Sequence, residues 1–311
     1  MKNKTRFKLV LVAIITAATN YTTHAQPNYP TKPEQAQLIY SDVENFIEAF
    51  ELLKNRTDTI AVLNQYYFDR GSAGLKEFIV KQNLTPEKLK DAIAKSPDSY
   101  AKITGFLTKK DAFAPQFSDL MQGFGEVLPK AMYPPTYMLV GANRGVAQAS
   151  KAGQLVTVTR VVDNDKKLKQ LIVHELAHFQ QAITMGIQKY GALYATQNNM
   201  LAFCLREGGA EFITSLVLNE ITQSKSLEYL KNNESALKSR FMADLANQDA
   251  KYWLWESLDD PNAPKLLGYV MGYKICDAYY KKATNKQAAL TTILMMELPE
   301  DFLERSGYFK E

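Results

Sequence analysis

The stretch LKQLIVHELAHFQQAI, residues 168–183, decides how the rest of the chain is read. Leu168, Leu171, Ile172, Leu176 and Ile183 recur at three- and four-residue intervals, the spacing of one apolar helical face. No Gly or Pro interrupts the run before Gly186, so the spacing predicts one continuous helix. His174 and His178 stand one turn apart on the same side of that helix. Both imidazoles can therefore reach one zinc ion, at about 2.0–2.1 Å each. Glu175 would lie beside the ion without binding it, placed to take a proton from an activated water and return it to a leaving amine. The competing reading is a chance match on an ordinary amphipathic helix. Against it, the chain has 3 histidines. His24 falls in an N-terminal secretory segment, which leaves the other two in this one motif.

Catalytic zinc usually has three protein ligands plus water, and with no histidine left a carboxylate must supply the third. Downstream, Leu205-Arg206-Glu207-Gly208-Gly209-Ala210-Glu211-Phe212 opens another apolar-periodic run to Leu218. Glu207 and Glu211 share a helical face. Glu207 would be the third ligand, and Glu211 would accept a hydrogen bond from the far nitrogen of a ligating histidine, fixing its tautomer and orientation. A pair of solvated glutamates on a surface helix is the alternative. Two glycines beside a helix start fit that poorly, because each weakens a helix by about 1 kcal/mol. They make sense where backbone must come close to something.

The HExxH motif followed by a second helix carrying Glu207 and Glu211 resembles the gluzincin metallopeptidases. Residues 207–212, EGGAEF, resemble the E-G-x-A-E-[YF] second-helix motif of the peptidase MA-like clan. Within that clan the nearest likeness is to uncharacterised bacterial predicted zinc-dependent proteases. Weaker stretches fit the same likeness: SDVENF at 41–46, RGSAGL at 70–75 and LGYVMGY at 267–273. The best-known gluzincins carry Asp where this chain has Glu211, so that assignment departs from the pattern. The resemblance implies a zinc metallopeptidase with one Zn2+ per chain, acting on a peptide or protein substrate. It also implies a donor to the oxyanion formed on the scissile carbonyl, often Tyr or His. With no spare histidine, Tyr269 or Tyr273 is the candidate; both could equally pack their helix with hydroxyls satisfied elsewhere. Two rivals keep the site without the activity: a zincin-fold module that binds peptide or protein without turnover, and a purely structural zinc site. The second leaves Glu175 without a task and a coordination position open.

The expected fold is α+β and helix-dominant, a zincin-like core with a short sheet before the HExxH helix, flanked by helical subdomains. Residues 26–133 read as an N-terminal helical region and 134–311 as the core with C-terminal helices. A Pro-rich lead-in, 26–33, is expected to be flexible. Helical periodicity follows over 33–55, 58–68, 72–82 and 85–95. At Pro134-Pro135 the texture changes. Thr136 to Val140 reads as a short strand, Gly141 to Gly145 as a loop, and Gln154 to Val162, rich in β-branched residues, as a strand. The resemblance places that last strand at a sheet edge lining the cleft, where an extended peptide could pair with it. An ordinary core strand is the alternative. Residues 225–258 read as helical with Trp253 and Trp255 packing, 259–264 as a turn and 266–281 as a helix.

Lys2, Lys4, Arg6 and Lys8 followed by apolar Leu9 to Ala18 and by Thr23-His24-Ala25 read as a signal peptide, residues 1–25. The apolar run is too short to span a bilayer, which takes about 20 residues, so no stable membrane anchor is expected after cleavage. Export to a periplasm or out of the cell follows. The formal charge of +4 comes from 37 basic against 33 acidic residues, and this segment holds four basic and no acidic ones, leaving 33 − 33 = 0. With no basic tract and no zinc-knuckle spacing, nucleic acid is excluded as a partner. Cys204 and Cys276 are the only cysteines; they could form one bridge between the Glu207 helix and the GYVMGY segment or remain free thiols. Oligomeric state is not written in the sequence.

Overall fold

The computed structural model describes residues 29–142, 147–196, 200–245, 249–258, 262–296 and 298–310. The signal segment, most of the expected 141–145 loop and half of the 259–264 turn lie outside the described residues. Several helices start on a side-chain cap. Ser72 Oγ accepts from Leu75 N at 3.1 Å, Thr85 Oγ1 from Lys88 N at 3.3 Å, and Asn164 Oδ1 from Lys167 N at 2.9 Å. The second of these caps has Pro86 behind it, a residue already shaped for the first turn.

The N-terminal helices include Ser41–Leu53, Ala73–Gln82, Pro86–Lys95 and Lys110–Val127, with Thr59–Leu63 running into a π-helical turn, Asn64–Phe68. Residues 33–40 do not join the first of them. Pro33–Gln35 makes one 3₁₀ turn and Leu38–Ile39 is a strand, β1. The sheet claims this segment: Thr136 N donates to Gln37 O at 2.8 Å, and that tertiary bond overrides the helical spacing. The described part of the lead-in, from Tyr29, is tied down as well. The Tyr29 ring meets Phe179 edge-on at 4.9 Å, its hydroxyl donates to Lys151 O, and Tyr133 N donates to Pro30 O at 2.7 Å.

Three further strands complete a small mixed sheet: β2, Thr136–Leu139; β3, Ala147–Ala149; and β4, Gln154–Thr157. Their order is β1-β2-β4-β3, with β1, β2 and β4 parallel and β3 antiparallel to β4. Every residue of β2 and β4 is buried, as expected for strands covered on both faces. This corrects the edge placement of the 154–162 run. Its strand is interior, and β3, in a segment given no assignment from the sequence, forms the edge beside it. The run also stops short, because Val158–Arg160 turns as a 3₁₀ segment to deliver the chain to the Asn164 cap. Val158, Val161 and Val162 stay buried, so their hydrophobicity serves the core without extending the strand.

The HExxH helix, Asp165–Met185, packs across β3 and β4 and against a second long helix, Met200–Leu218. The latter starts well before Glu207, so Gly208 and Gly209 sit inside it and not at its entry. Their cost in helix stability is offset by close packing. A Cβ on Gly208 would lie 2.2 Å from the backbone carbon of Gly272, and one on Gly272 would lie 1.9 Å from Cys204 O. Backbone therefore meets backbone where Met200–Leu218 crosses the helix Leu267–Lys282. Cys204 and Cys276 are buried free thiols in these two helices, which glycine contact joins without a disulfide.

The SDVENF and RGSAGL stretches meet each other. Asp42 accepts from Ser72 N at 2.9 Å and from Ser72 Oγ at 2.6 Å, and Gly74 leaves room for the Tyr137 ring. Trp253 is buried with Nε1 donating to Asp244 at 2.9 Å, whereas Trp255 is exposed. Among the described residues no helix is long and apolar enough to cross a membrane.

Candidate metal centre

His174 and His178 lie one turn apart with their rings nearly perpendicular, at 88°. The second long helix brings Glu207 over both. Its Oε2 is 3.4 Å from His174 Nε2 and 3.1 Å from His178 Nε2. Ligands held at about 2.1 Å around a tetrahedral ion stand about 3.4 Å from one another, so these separations are those of tetrahedral edges. The three donor groups lie within 4.8 Å of one another and could hold a metal ion. Two neutral imidazole nitrogens and one carboxylate oxygen, with a position left over, suit zinc.

The far side of each histidine is also engaged. His178 Nδ1 stands 2.8 Å from Gln181 Oε1, and Gln181 Nε2 donates to Arg206 O at 2.9 Å. That acceptor keeps the proton on Nδ1 and frees Nε2 for a metal. His174 Nδ1 lies 3.3 Å from Glu211 Oε1, at the long end of hydrogen bonding, and has no better-aligned partner. Glu211 is held in turn by Thr222, whose hydroxyl donates to Oε2, and by Gln223 Nε2 at 3.4 Å.

Charge in this buried cluster is mutually arranged. Burial lowers the His174 pKa, but the carboxylates of Glu207, Glu211 and Glu175 more than offset it and push it up to about 10. Glu207 is held well below the usual carboxylate range, since His178, Arg206 and His174 overcome burial. Glu211 is lowered against burial by His174, Thr222 and Gln223. Glu175 goes the other way: burial raises it despite the two histidines, and Ala149 N on edge strand β3 donates to its carboxylate. A buried carboxylate with a raised pKa beside three candidate metal donors is a candidate for proton transfer.

The two candidate tyrosines part company. Tyr269 stacks on His174 with centroids 6.1 Å apart and donates its hydroxyl to Glu207. Tyr273, one turn on, packs against Phe212 and pairs its hydroxyl with Ser215 instead of Glu207. Several site neighbours went unread in the sequence. Gln181 was readable in principle, three residues after His178 on the same face. Tyr190 and Tyr194 were not. Gly186, at φ 92°, ends the HExxH helix and the helix Ile187–Thr196 follows. There Tyr194 lies under the Arg206 guanidinium at 4.8 Å with Tyr190 edge-on to it, and burial raises the Tyr190 hydroxyl pKa against the opposing charge of Arg206.

Fold and site thus define a helix-dominant α+β protein with a buried His-His-Glu group able to hold a metal ion. The chain belongs to the family described as "Predicted Zn-dependent protease (DUF2268)", whose family model matches residues 135–300, just over half of the 311 residues. The matched span takes in β2, all three candidate ligands and Tyr269. No curated protein and no solved structure matches the chain.

Proposed function

We propose that the protein is an exported, gluzincin-type metallopeptidase that hydrolyses peptide bonds with Glu175 as general base. The observation that carries this reading is the position of Glu175: buried, raised in pKa, and adjoining the His174, His178 and Glu207 donors while bonded to none of them. A structural metal site would have no use for it. Bound by those donors, zinc would lower the pKa of a water toward about 7 and polarise the scissile carbonyl. Glu175 would take the proton as the water attacks and pass it to the departing nitrogen. Tyr269, beside His174, is the hydroxyl available to donate to the oxyanion, which favours turnover over a silent binding module. An extended substrate would lie along β3, the sheet edge whose Ala149 N–H already aims at Glu175.

The test is metal content together with cleavage of a mixed peptide library by mature protein and by Glu175→Gln. Zinc near one per chain in both, with cleavage only by the unsubstituted protein, is the expected result. Equal cleavage by the two proteins, or no bound zinc in either, would refute the proposal.

A further inference from the structure

Neither the HExxH motif nor the family description gives Arg206 a task. We propose that Arg206 is a positioning residue that restricts Glu207 to one-oxygen ligation and braces His178 through the same backbone. The inference rests on reading His174, His178 and Glu207 as the metal donors.

The guanidinium donates from Nε at 3.1 Å and from Nη2 at 2.7 Å, both to Oε1 of Glu207. An arginine fork usually spreads its two bonds over both carboxylate oxygens. Here both fall on one oxygen, and Oε2 is left to face the two histidines. The fork is itself fixed, with its central carbon 4.8 Å from the Tyr194 ring centroid and 4.5 Å from that of Phe203. On the main-chain side, Arg206 O accepts from Gln181, whose Oε1 holds His178 Nδ1. Gly209 makes this possible, because a Cβ there would sit 3.2 Å from Gln181 Nε2 and 2.9 Å from Met296. One residue thus braces two ligands that stand on different helices. A carboxylate free to chelate with both oxygens would occupy the position a catalytic site keeps open for water. Lysine, with a single nitrogen, cannot place two donors on one oxygen.

The experiment is cobalt(II) substitution of the mature protein, Arg206→Lys, Arg206→Met and Gln181→Met, read by visible d–d absorption and by competition with a chelator. Circular dichroism of the metal-free forms checks folding. The arginine variants are expected to lose band intensity, the signature of a fifth ligand atom. Gln181→Met is expected to keep the band and bind metal about 10- to 100-fold more weakly. Arginine variants with the unsubstituted band overturn the denticity role, and unchanged affinity in Gln181→Met overturns the brace to His178. If Arg206→Met does not fold, Arg206→Lys, which keeps the charge between the two rings, decides alone. An unsubstituted protein that takes up no cobalt overturns the metal-site reading and this inference with it.

Discussion

Replacing Gly208 with alanine sets two effects of opposite sign against each other. Helix propensity favours alanine by about 1 kcal/mol. Packing opposes it: the new Cβ would lie 2.2 Å from Gly272 C and 2.3 Å from Tyr273 N. Both are backbone atoms, which cannot swing aside. Ordinary contact begins at 3.4 Å, so restoring it moves the helix Leu267–Lys282 by 3.4 − 2.2 = 1.2 Å. Overpacking of this kind costs about 1–3 kcal/mol, and a rigid backbone clash belongs at the upper end. The net expectation is a loss of about 1–2 kcal/mol. The same shift draws Tyr269 off Glu207, and a displacement of about 1 Å at a catalytic site can cost about 100-fold in rate. Urea unfolding of the metal-free protein measures the first effect and peptide turnover the second. Gly191→Ala is the control. It lies in the helix Ile187–Thr196 with nothing within 4 Å of a new Cβ, and should stabilise by up to about 1 kcal/mol. If Gly208→Ala is as stable as the unsubstituted protein while Gly191→Ala gains stability, the close crossing of the two helices is wrong.

Three other outcomes are expected. Glu175→Gln should keep its metal and the bond from Ala149 N while turnover falls about 10²–10⁴-fold; a loss of metal instead would make Glu175 a ligand and not a base. Tyr269→Phe should lower kcat by about 10- to 1,000-fold, whereas Tyr273→Phe, which breaks only the pair with Ser215, should leave kcat unchanged; reversed effects would put the wrong tyrosine at the site. In the metal-free protein the His174 pKa rises from 6.5 to about 10, so its charged form contributes stability in full below pH 6.5 that is lost as pH rises through about 10. Thermal midpoints of chelator-treated protein should therefore fall over that window, while stabilisation by added metal grows; a flat profile would contradict the His174–Glu207–Glu211 cluster.

Local signals in the sequence account for much of this protein. The apolar spacing of 168–183 and the cap at Asn164 make one helix, and helical periodicity alone puts His174 and His178 on one side of it, with Gln181 one turn on. The periodic run through Glu207 and Glu211 is likewise a matter of near neighbours along the chain. Partnerships across the fold are different. That Leu38–Ile39 leaves a helical pattern for the sheet depends on β2 being alongside, and that Gln154–Thr157 is interior depends on Ala147–Ala149 returning antiparallel to it. Gly208 and Gly209 announce a close approach, but only the crossing with Leu267–Lys282 shows that Gly272 is what comes near. Tyr269 and Tyr273 are indistinguishable as letters one turn apart; rotation of their helix about the Gly208–Gly272 contact turns one hydroxyl to Glu207 and the other to Ser215. Arg206 is the mixed case: Phe203 lies one turn back on its own helix, but Tyr194, on the other side of the guanidinium from a different helix, is brought there by tertiary packing.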